Sequence, residues 1–271
     1  MSTIPERNVY ARTLVWRMFR DAGDEDYLVA RWSARAKLPF QFHWSAQQTL
    51  EKYLKGILLL NDKSVVKFGH NLIGLNAEAK TIAGDLIPKE LLQPSYFPEP
   101  TGFAPSGSET TDTFIARLNE RGHTDNRYRH YSMTFDGYDL HRFDKLCFHL
   151  RRLIFPLEMN YASTPKTYRE ILTENSNFQP HPEFPFFGFK DESARAECLG
   201  TLKWRNFSYF EEEAIENAKI NTGFFMSNSQ LYMSSQRGEI GHEAIEWLIA
   251  KARFSSSDLA QLRDLDRKSV V

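Results

Sequence analysis

The sequence predicts an all-α protein, and three patterns support this class. Apolar residues recur at three- and four-residue steps along Phe40–Leu60, which places them on one side of a helix. The same steps recur along Phe143–Leu157. Residues that commonly end helices, such as Pro39 and Gly84, separate the periodic segments. We therefore expect a mostly helical chain.

The N-terminal half divides into a series of predicted helices. In chain order they are Val9–Arg20, Asp26–Lys37, Phe40–Leu60, Asn71–Ala83, Thr111–Arg121 and Phe143–Leu157. The acidic run Asp24–Asp26 suits a helix start, because the helix dipole favours negative charge there. Asp112 is the predicted N-cap of the helix around it. Glu51 and Lys55 have the spacing of an ion pair on an exposed helix surface.

A proline-rich segment and the C-terminal region are predicted to differ from this series. The prolines and glycines within Leu86–Thr111 exclude a regular element of any length, so a long loop or insertion is expected. A domain boundary is predicted near residue 160. It divides a helical bundle over residues 1–160 from a helical extension of unknown type over residues 161–271. Helices in the extension are predicted at Ser208–Lys219, Glu239–Arg253 and Asp258–Lys268.

Composition limits the kinds of function that the chain can have. An apolar fraction of 41% and an aromatic fraction of 14% indicate a globular protein. The formal net charge of -1 gives no general attraction for nucleic acid, so such binding requires a local basic patch. Cys147 and Cys198 are too few for a disulfide framework or a zinc cluster, and we expect both thiols to be reduced and partly buried.

The sequence shows neither a membrane-spanning segment nor a cofactor motif. Its most apolar run, Ile57–Leu60, is too short to cross a bilayer, and the N-terminus lacks the apolar core of a signal peptide. We expect a cytoplasmic protein that has no membrane partner. A Gly-rich phosphate loop, a nucleophile elbow and a paired Cys-x-x-Cys are all lacking, so neither a cofactor nor a metal site is predicted.

One ordered set of polar residues resembles a known family. Its members are Gln47, Gln48, Glu51, Lys52 and Lys55 on one helix, His70 and Leu72 at the start of the next, and the pair Arg127 and Tyr128. Over roughly residues 24–158 this combination resembles the HEPN family, a helical domain linked to nucleotides and RNA. The resemblance implies an antiparallel helical bundle that forms a homodimer. It also implies RNA, a nucleotide or a nucleotidyltransferase-type protein as the binding partner.

Some members of this family are metal-independent endoribonucleases, often of toxin or defence type. Their motif is an arginine followed by four to six residues and a histidine, contributed by both subunits of a dimer. Arg117 and His123 fit that spacing. Arg127 and His130 form an alternative pair, although the motif places the histidine two to four residues later. In these candidate catalytic pairs the guanidinium would hold the phosphate and the imidazole would move protons.

The segment Arg117–His130 is also the most basic short stretch of the chain. Its arginines are suited to phosphate groups and its tyrosine to stacking on a base. The candidate nucleic-acid or nucleotide contacts are Arg121, Arg127, Tyr128 and Arg129. The alternative is a solvated turn whose arginines pair with acidic neighbours such as Asp136 and Asp139.

Two sets of histidines have weaker functional interpretations. His43 forms a polar stripe with Gln47 and Glu51, which suits a packed bundle face or dimer face better than a metal site. His141 and His149 lie two helical turns apart, roughly on one side of a helix. The cysteine between these two histidines is expected to pack in the core, because nothing in the sequence lowers its thiol pKa.

Two functional hypotheses of different classes follow from these patterns. The leading one is a noncatalytic helical module that binds RNA, a nucleotide or a partner protein through the region Arg117–Arg129. The alternative is a metal-independent endoribonuclease of toxin or defence type that uses an Arg–His pair. An activity in the C-terminal region stays open as a third alternative, because no motif is identified there.

Overall fold

The computed structural model of the protein confirms the helical class. It describes residues 7–93, 97, 108–123, 134–135, 137–162, 164–180, 184–185, 190–211, 225–226, 242–251, 259–260 and 263. Within these ranges the regular structure is almost entirely helical.

The helices are α1 (Arg7–Val15), α2 (Ala22–Arg35), α3 (Pro39–Leu60), α4 (Leu72–Ala83), α5 (Thr111–Arg121), α6 (Gly137–Arg152), α7 (Tyr168–Glu174), α8 (Glu192–Lys203) and α9 (His242–Lys251). A π-helical turn, Trp16–Asp21, joins α1 to α2, and short 3-10 turns lie at Val66–Phe68 and Gly84–Leu86. The strands are β1 (Glu90–Leu91), β2 (Glu109–Thr110), β3 (Thr134–Phe135) and β4 (Phe225–Met226). β1 pairs antiparallel with β2, and β3 pairs antiparallel with β4.

Helix α3 lies at the centre of the bundle and contacts α1, α2, α4, α5 and α6. Proline suits its first position, because the fixed φ of proline is helical and its missing N–H would have no partner there. The predicted apolar face is confirmed, since Leu50, Leu54 and Ile57 are fully buried. Each large apolar side chain buried in this way contributes about 2 kcal/mol of hydrophobic stabilisation.

The predicted ends of α4 are confirmed, and the predicted cap of α5 is wrong. The Asn71 side chain accepts a hydrogen bond from Gly74 N at 3.1 Å, and α4 ends at Gly84, whose φ of +57° favours glycine. For α5 the N-cap is Thr110, whose hydroxyl accepts from Thr113 N at 3.1 Å. Thr110 ends β2 in an extended conformation, so the predicted cap Asp112 is already the second residue of the helix.

Helix α6 begins and ends earlier than the predicted Phe143–Leu157. Pro156 disfavours helical geometry at the residue before it, and the helix ends at Arg152. The buried side chains of Leu153, Ile154 and Leu157 then fill the core from an irregular segment. The apolar spacing that predicted this helix therefore extends past the residue at which the helix ends.

The proline-rich segment carries one short element that was not predicted. Glu90 pairs with Thr110 and Leu91 with Glu109, so a two-residue ladder joins the two ends of the segment. This ladder contradicts the prediction that the segment holds no regular element. Residues 94–96 and 98–107 lie outside the described ranges.

The hydrophobic core continues past the predicted domain boundary. Side chains from beyond residue 160 belong to the same buried cluster as the bundle, namely Tyr168, Leu172, Phe184 and Leu202. The boundary itself stays a prediction, as do the predicted helices Ser208–Lys219 and Asp258–Lys268, which lie largely outside the described residues. The predicted helix Glu239–Arg253 corresponds to α9. Among the helices that the structure describes, none combines the length and apolar character needed to cross a membrane.

Gly122 allows the end of α5 to lie against α3. A Cβ at this position would be 2.5 Å from the backbone O of His43 and 2.6 Å from Cβ of Gln47. We expect Gly122→Ala to lower the free energy of unfolding by about 1–3 kcal/mol, because a backbone atom blocks the new methyl group. Urea unfolding followed by circular dichroism measures the change.

Gly200→Ala is the matched control for that substitution. Gly200 lies within α8, and a Cβ there meets no atom within 4 Å. Alanine is the better helix former, so we expect unchanged stability or a gain of up to about 1 kcal/mol. Equal losses in the two variants would contradict the close approach of α5 to α3.

Candidate functional site

Two buried ion pairs join α2 to α6. Asp24 accepts hydrogen bonds from Nε and Nη2 of Arg151, both at 2.8 Å, and Arg31 Nη1 donates to Asp144. The four side chains are at most 2% exposed. In each helix the acid and the base are seven residues apart, so both lie on one face. Because the helices run antiparallel, each acid meets the base of the other helix.

Further hydrogen bonds satisfy these buried charges. Tyr27 Oη donates to Asp144 at 2.7 Å and accepts from Asn206 at 3.0 Å. Arg31 Nε also donates to Thr201 O at 3.2 Å, which ties the pair to α8. Burial alone would lower the pKa of Arg31, but Asp144 and Tyr27 together outweigh it and raise that pKa. The network therefore holds the helices together through buried ion pairs.

Arg117, the first predicted catalytic residue, belongs to a second network of this kind. Its Nη1 donates to Asp139 and its Nη2 to Glu109, both at 2.6 Å. Arg142 Nη1 donates to the same Asp139 oxygen at 3.1 Å. The Arg117 side chain is 19% exposed. Burial lowers the pKa of Arg117, and the two carboxylates more than offset this and raise it. The alternative of pairing with an acidic neighbour is thus what the structure shows for this arginine.

The other predicted site residues are not brought together with Arg117 in the described part of the chain. His123 is exposed and follows the turn at Gly122, and Arg121 is half-buried at the end of α5. Four predicted residues lie outside the described ranges: Arg127, Tyr128, Arg129 and His130. Their roles stay predictions.

The polar stripe of α3 is a packed face, as expected. His43, Gln47 and Glu51 are all buried. Glu51 accepts from Lys55 Nζ at 2.7 Å and lies 3.0 Å from Nδ1 of His70. The Glu51–Lys55 pair was predicted as a surface pair, which is wrong because α3 is surrounded by other helices. Through its contact with His70, the Glu51 carboxylate instead joins α3 to the segment before α4.

A polar cavity of about 540 Å³ lies along α6. His141, Lys145 and His149 line it together, because residues four apart share one helix face. The prediction that the two histidines lie on one side of a helix is therefore confirmed. Cys147 is on another face, fully buried in the core, and burial raises its thiol pKa well above the ordinary value. As predicted, it is a packing residue, and both cysteines are free thiols.

The two histidines of this cavity are neutral near pH 7. Burial, followed by the charges of Lys145 and Arg142, lowers the pKa of His141 to about 4. Burial, followed by the charges of Arg152 and Lys145, lowers the pKa of His149 to about 3. Burial also lowers the pKa of Lys145, whose Nζ donates to Leu92 O at 3.2 Å.

Sequence reasoning found the histidines of the cavity and missed its lysine. The signal for Lys145 was its position midway between the histidines, four residues from each. Among the described residues no three His, Cys, Asp or Glu side chains are grouped to hold a metal ion.

Comparisons with protein-family models, with curated proteins and with solved structures gave no match. The HEPN resemblance therefore stays a prediction. The structure defines the class more coarsely, as a mostly helical protein with charged pairs inside its core and a polar cavity along one helix.

Proposed function

We propose that the protein is a noncatalytic, HEPN-like helical module that binds RNA, a nucleotide or a partner protein. The observation that supports this proposal is the engagement of Arg117 by Glu109 and Asp139. An arginine that holds a scissile phosphate must offer its N–H groups to the substrate. For Arg117 this would break two charge-assisted hydrogen bonds and leave the two largely buried carboxylates with Arg142 alone of this cluster.

The proposed binding surface begins at the end of α5. Arg121 and His123 lie there, and the predicted contacts Arg127, Tyr128 and Arg129 follow within a few residues. Arginines supply phosphate contacts and a tyrosine supplies a stacking face, so the combination suits single-stranded RNA or a nucleotide. The net charge of -1 makes such a local patch necessary for binding a polyanion.

The proposal includes a homodimer. Leu14 and Met18, four residues apart at the junction of α1 and the π-helical turn, are 58% and 62% exposed. Large apolar side chains that share a surface in this way support association between subunits. Sedimentation equilibrium of the full chain measures the mass, and a Met18→Lys variant is expected to shift it toward the monomer.

A single labelled RNA pool tests binding and cleavage together. With EDTA present, we expect wild-type protein to bind the pool and to leave it uncleaved. Arg121→Ala is expected to weaken binding several-fold and to reduce the dependence of binding on salt by about one counterion. Arg195→Ala is the control, because Arg195 is exposed on α8, a helix that contacts α2. Fluorescence anisotropy measures the affinity and gel electrophoresis the cleavage.

Cleavage of the RNA would favour the alternative function, a metal-independent endoribonuclease. Metal-independent cleavage that is lost in His123→Ala or His130→Ala would overturn the noncatalytic proposal and identify the histidine of a ribonuclease. If folded wild-type protein binds neither RNA nor nucleotides, the only part of the proposal that remains is the binding of a partner protein.

A further inference from the structure

The cavity along α6 is separate from the surface proposed for RNA or nucleotide binding. We propose that this cavity binds a small organic anion, namely a carboxylate or phosphate group carried on an aromatic ring. Its volume of about 540 Å³ lies within the range of small-molecule sites.

The charge on the ligand is argued from Lys145. The Lys145 side chain is half-buried on the cavity wall, and its ammonium group donates a hydrogen bond to the neutral carbonyl of Leu92. Within the described residues no carboxylate lies within ion-pair distance of Lys145. The acidic side chain on the lining, Glu211, is exposed. A partly desolvated cation without a counterion gains from an anion that enters the cavity.

The neighbouring imidazoles suit the same ligand. Nδ1 of His149 accepts from Arg152 Nη2 at 2.9 Å, which leaves the N–H at Nε2 free to donate to a ligand. Nε2 of His141 lies 3.4 Å from Leu92 O, and its buried Nδ1 has no hydrogen-bond partner among the described groups. An anion beside it would favour a proton on that nitrogen, and the resulting N–H would donate to the anion. Binding is therefore expected to take up protons.

The ring on the ligand is argued from the aromatic wall of the cavity. Phe148 and Tyr209 pack edge to face with centroids 5.2 Å apart, and Phe207 lines the same space. Aromatic rings prefer such offset and edge contacts with another ring.

Four probes and two lysine variants test the proposal with the full-length protein. The probes are phenyl phosphate, benzoate, inorganic phosphate and the neutral ring compound benzamide, with affinities from isothermal titration calorimetry. We expect phenyl phosphate or benzoate to bind at least about tenfold more tightly than benzamide, and the tighter of the two identifies the anionic group. Inorganic phosphate is expected to bind more weakly than phenyl phosphate because it lacks the ring. Titrations in buffers of different ionisation enthalpy are expected to show proton uptake.

Lys145→Met is expected to abolish the preference for the anions and to leave benzamide binding unchanged. Lys89→Met is the control, because Lys89 pairs with Asp85 on the surface and does not line the cavity. His141→Gln, which keeps a polar side chain, is expected to reduce the proton uptake. The proposal is overturned if folded wild-type protein binds neither anion saturably or binds benzamide equally well. It is also overturned if the two lysine variants weaken anion binding equally.

Discussion

Asp144→Ala is expected to lower the free energy of unfolding by about 3–5 kcal/mol, the largest effect that we expect from a single substitution. The change leaves the guanidinium of Arg31 fully buried and charged without a counterion. It also removes the acceptor of the Tyr27 hydroxyl. The loss should appear as a lower urea midpoint, because the surface exposed on unfolding is little changed.

A double variant distinguishes the loss of the ion pair from the cost of a buried charge that has lost its partner. In Arg31→Met/Asp144→Leu both charges leave the core, so we expect much of the stability to return. Recovery should be partial, because Arg31 also donates to the carbonyl of Thr201. Asp26→Ala is the matched control, since Asp26 pairs with Lys52 where both side chains are partly exposed. That control should cost at most about 1 kcal/mol. A comparable loss in the control, or no recovery in the double variant, would refute this account.

The long helices could be predicted because their signals are local. In α3 the apolar spacing and the proline at its start lie within the helix itself, and Asn71 caps α4 from an adjacent position. The cap of α5 could not be chosen in the same way. Thr110 and Asp112 both carry capping side chains, and the extended conformation that β1 imposes on Thr110 decides between them.

The buried charges show what sequence reasoning could not supply. Arg31 and Asp144 are 113 residues apart in the chain, and Asp24 and Arg151 are 127 apart. Each acid and base on its own looks like a surface residue of an amphipathic helix. Their seven-residue spacing is visible in the sequence, but only the fold places α2 and α6 so that each acid meets the base of the other helix. For Arg117 the sequence did offer pairing with Asp139 as the alternative, whereas its second partner Glu109 was not anticipated.

Acidification is expected to destabilise the protein through His141. Its pKa falls from 6.5 to about 4 on folding, so the unfolded chain binds this proton first. The stability that neutral His141 contributes is therefore complete above pH 6.5 and is lost as the pH falls toward 4. A shift of this size corresponds to about 3 kcal/mol. The side chain is only 5% exposed, so solvent screening removes little of it.

The difference between wild type and His141→Gln isolates this contribution, because the other titrating groups cancel. Between about pH 7.5 and pH 4.5 we expect that difference in unfolding free energy to fall by about 2–3 kcal/mol. Phe207→Leu is the control, since it alters the same cavity without removing a titrating group. Its stability curve should run parallel to that of wild type. Parallel curves for His141→Gln would contradict the buried neutral imidazole.

The same titration connects stability to the proposed ligand. An anion beside His141 stabilises the imidazolium and so raises the pKa of the folded form toward that of the unfolded chain. Saturating phenyl phosphate should then reduce the loss of stability on acidification more in wild type than in His141→Gln, because the titration of the phosphate itself affects both proteins equally. Ligand binding alone would stabilise both proteins by an amount set by affinity. A change of slope that requires the histidine therefore distinguishes an anion bound next to His141 from one bound elsewhere on the protein.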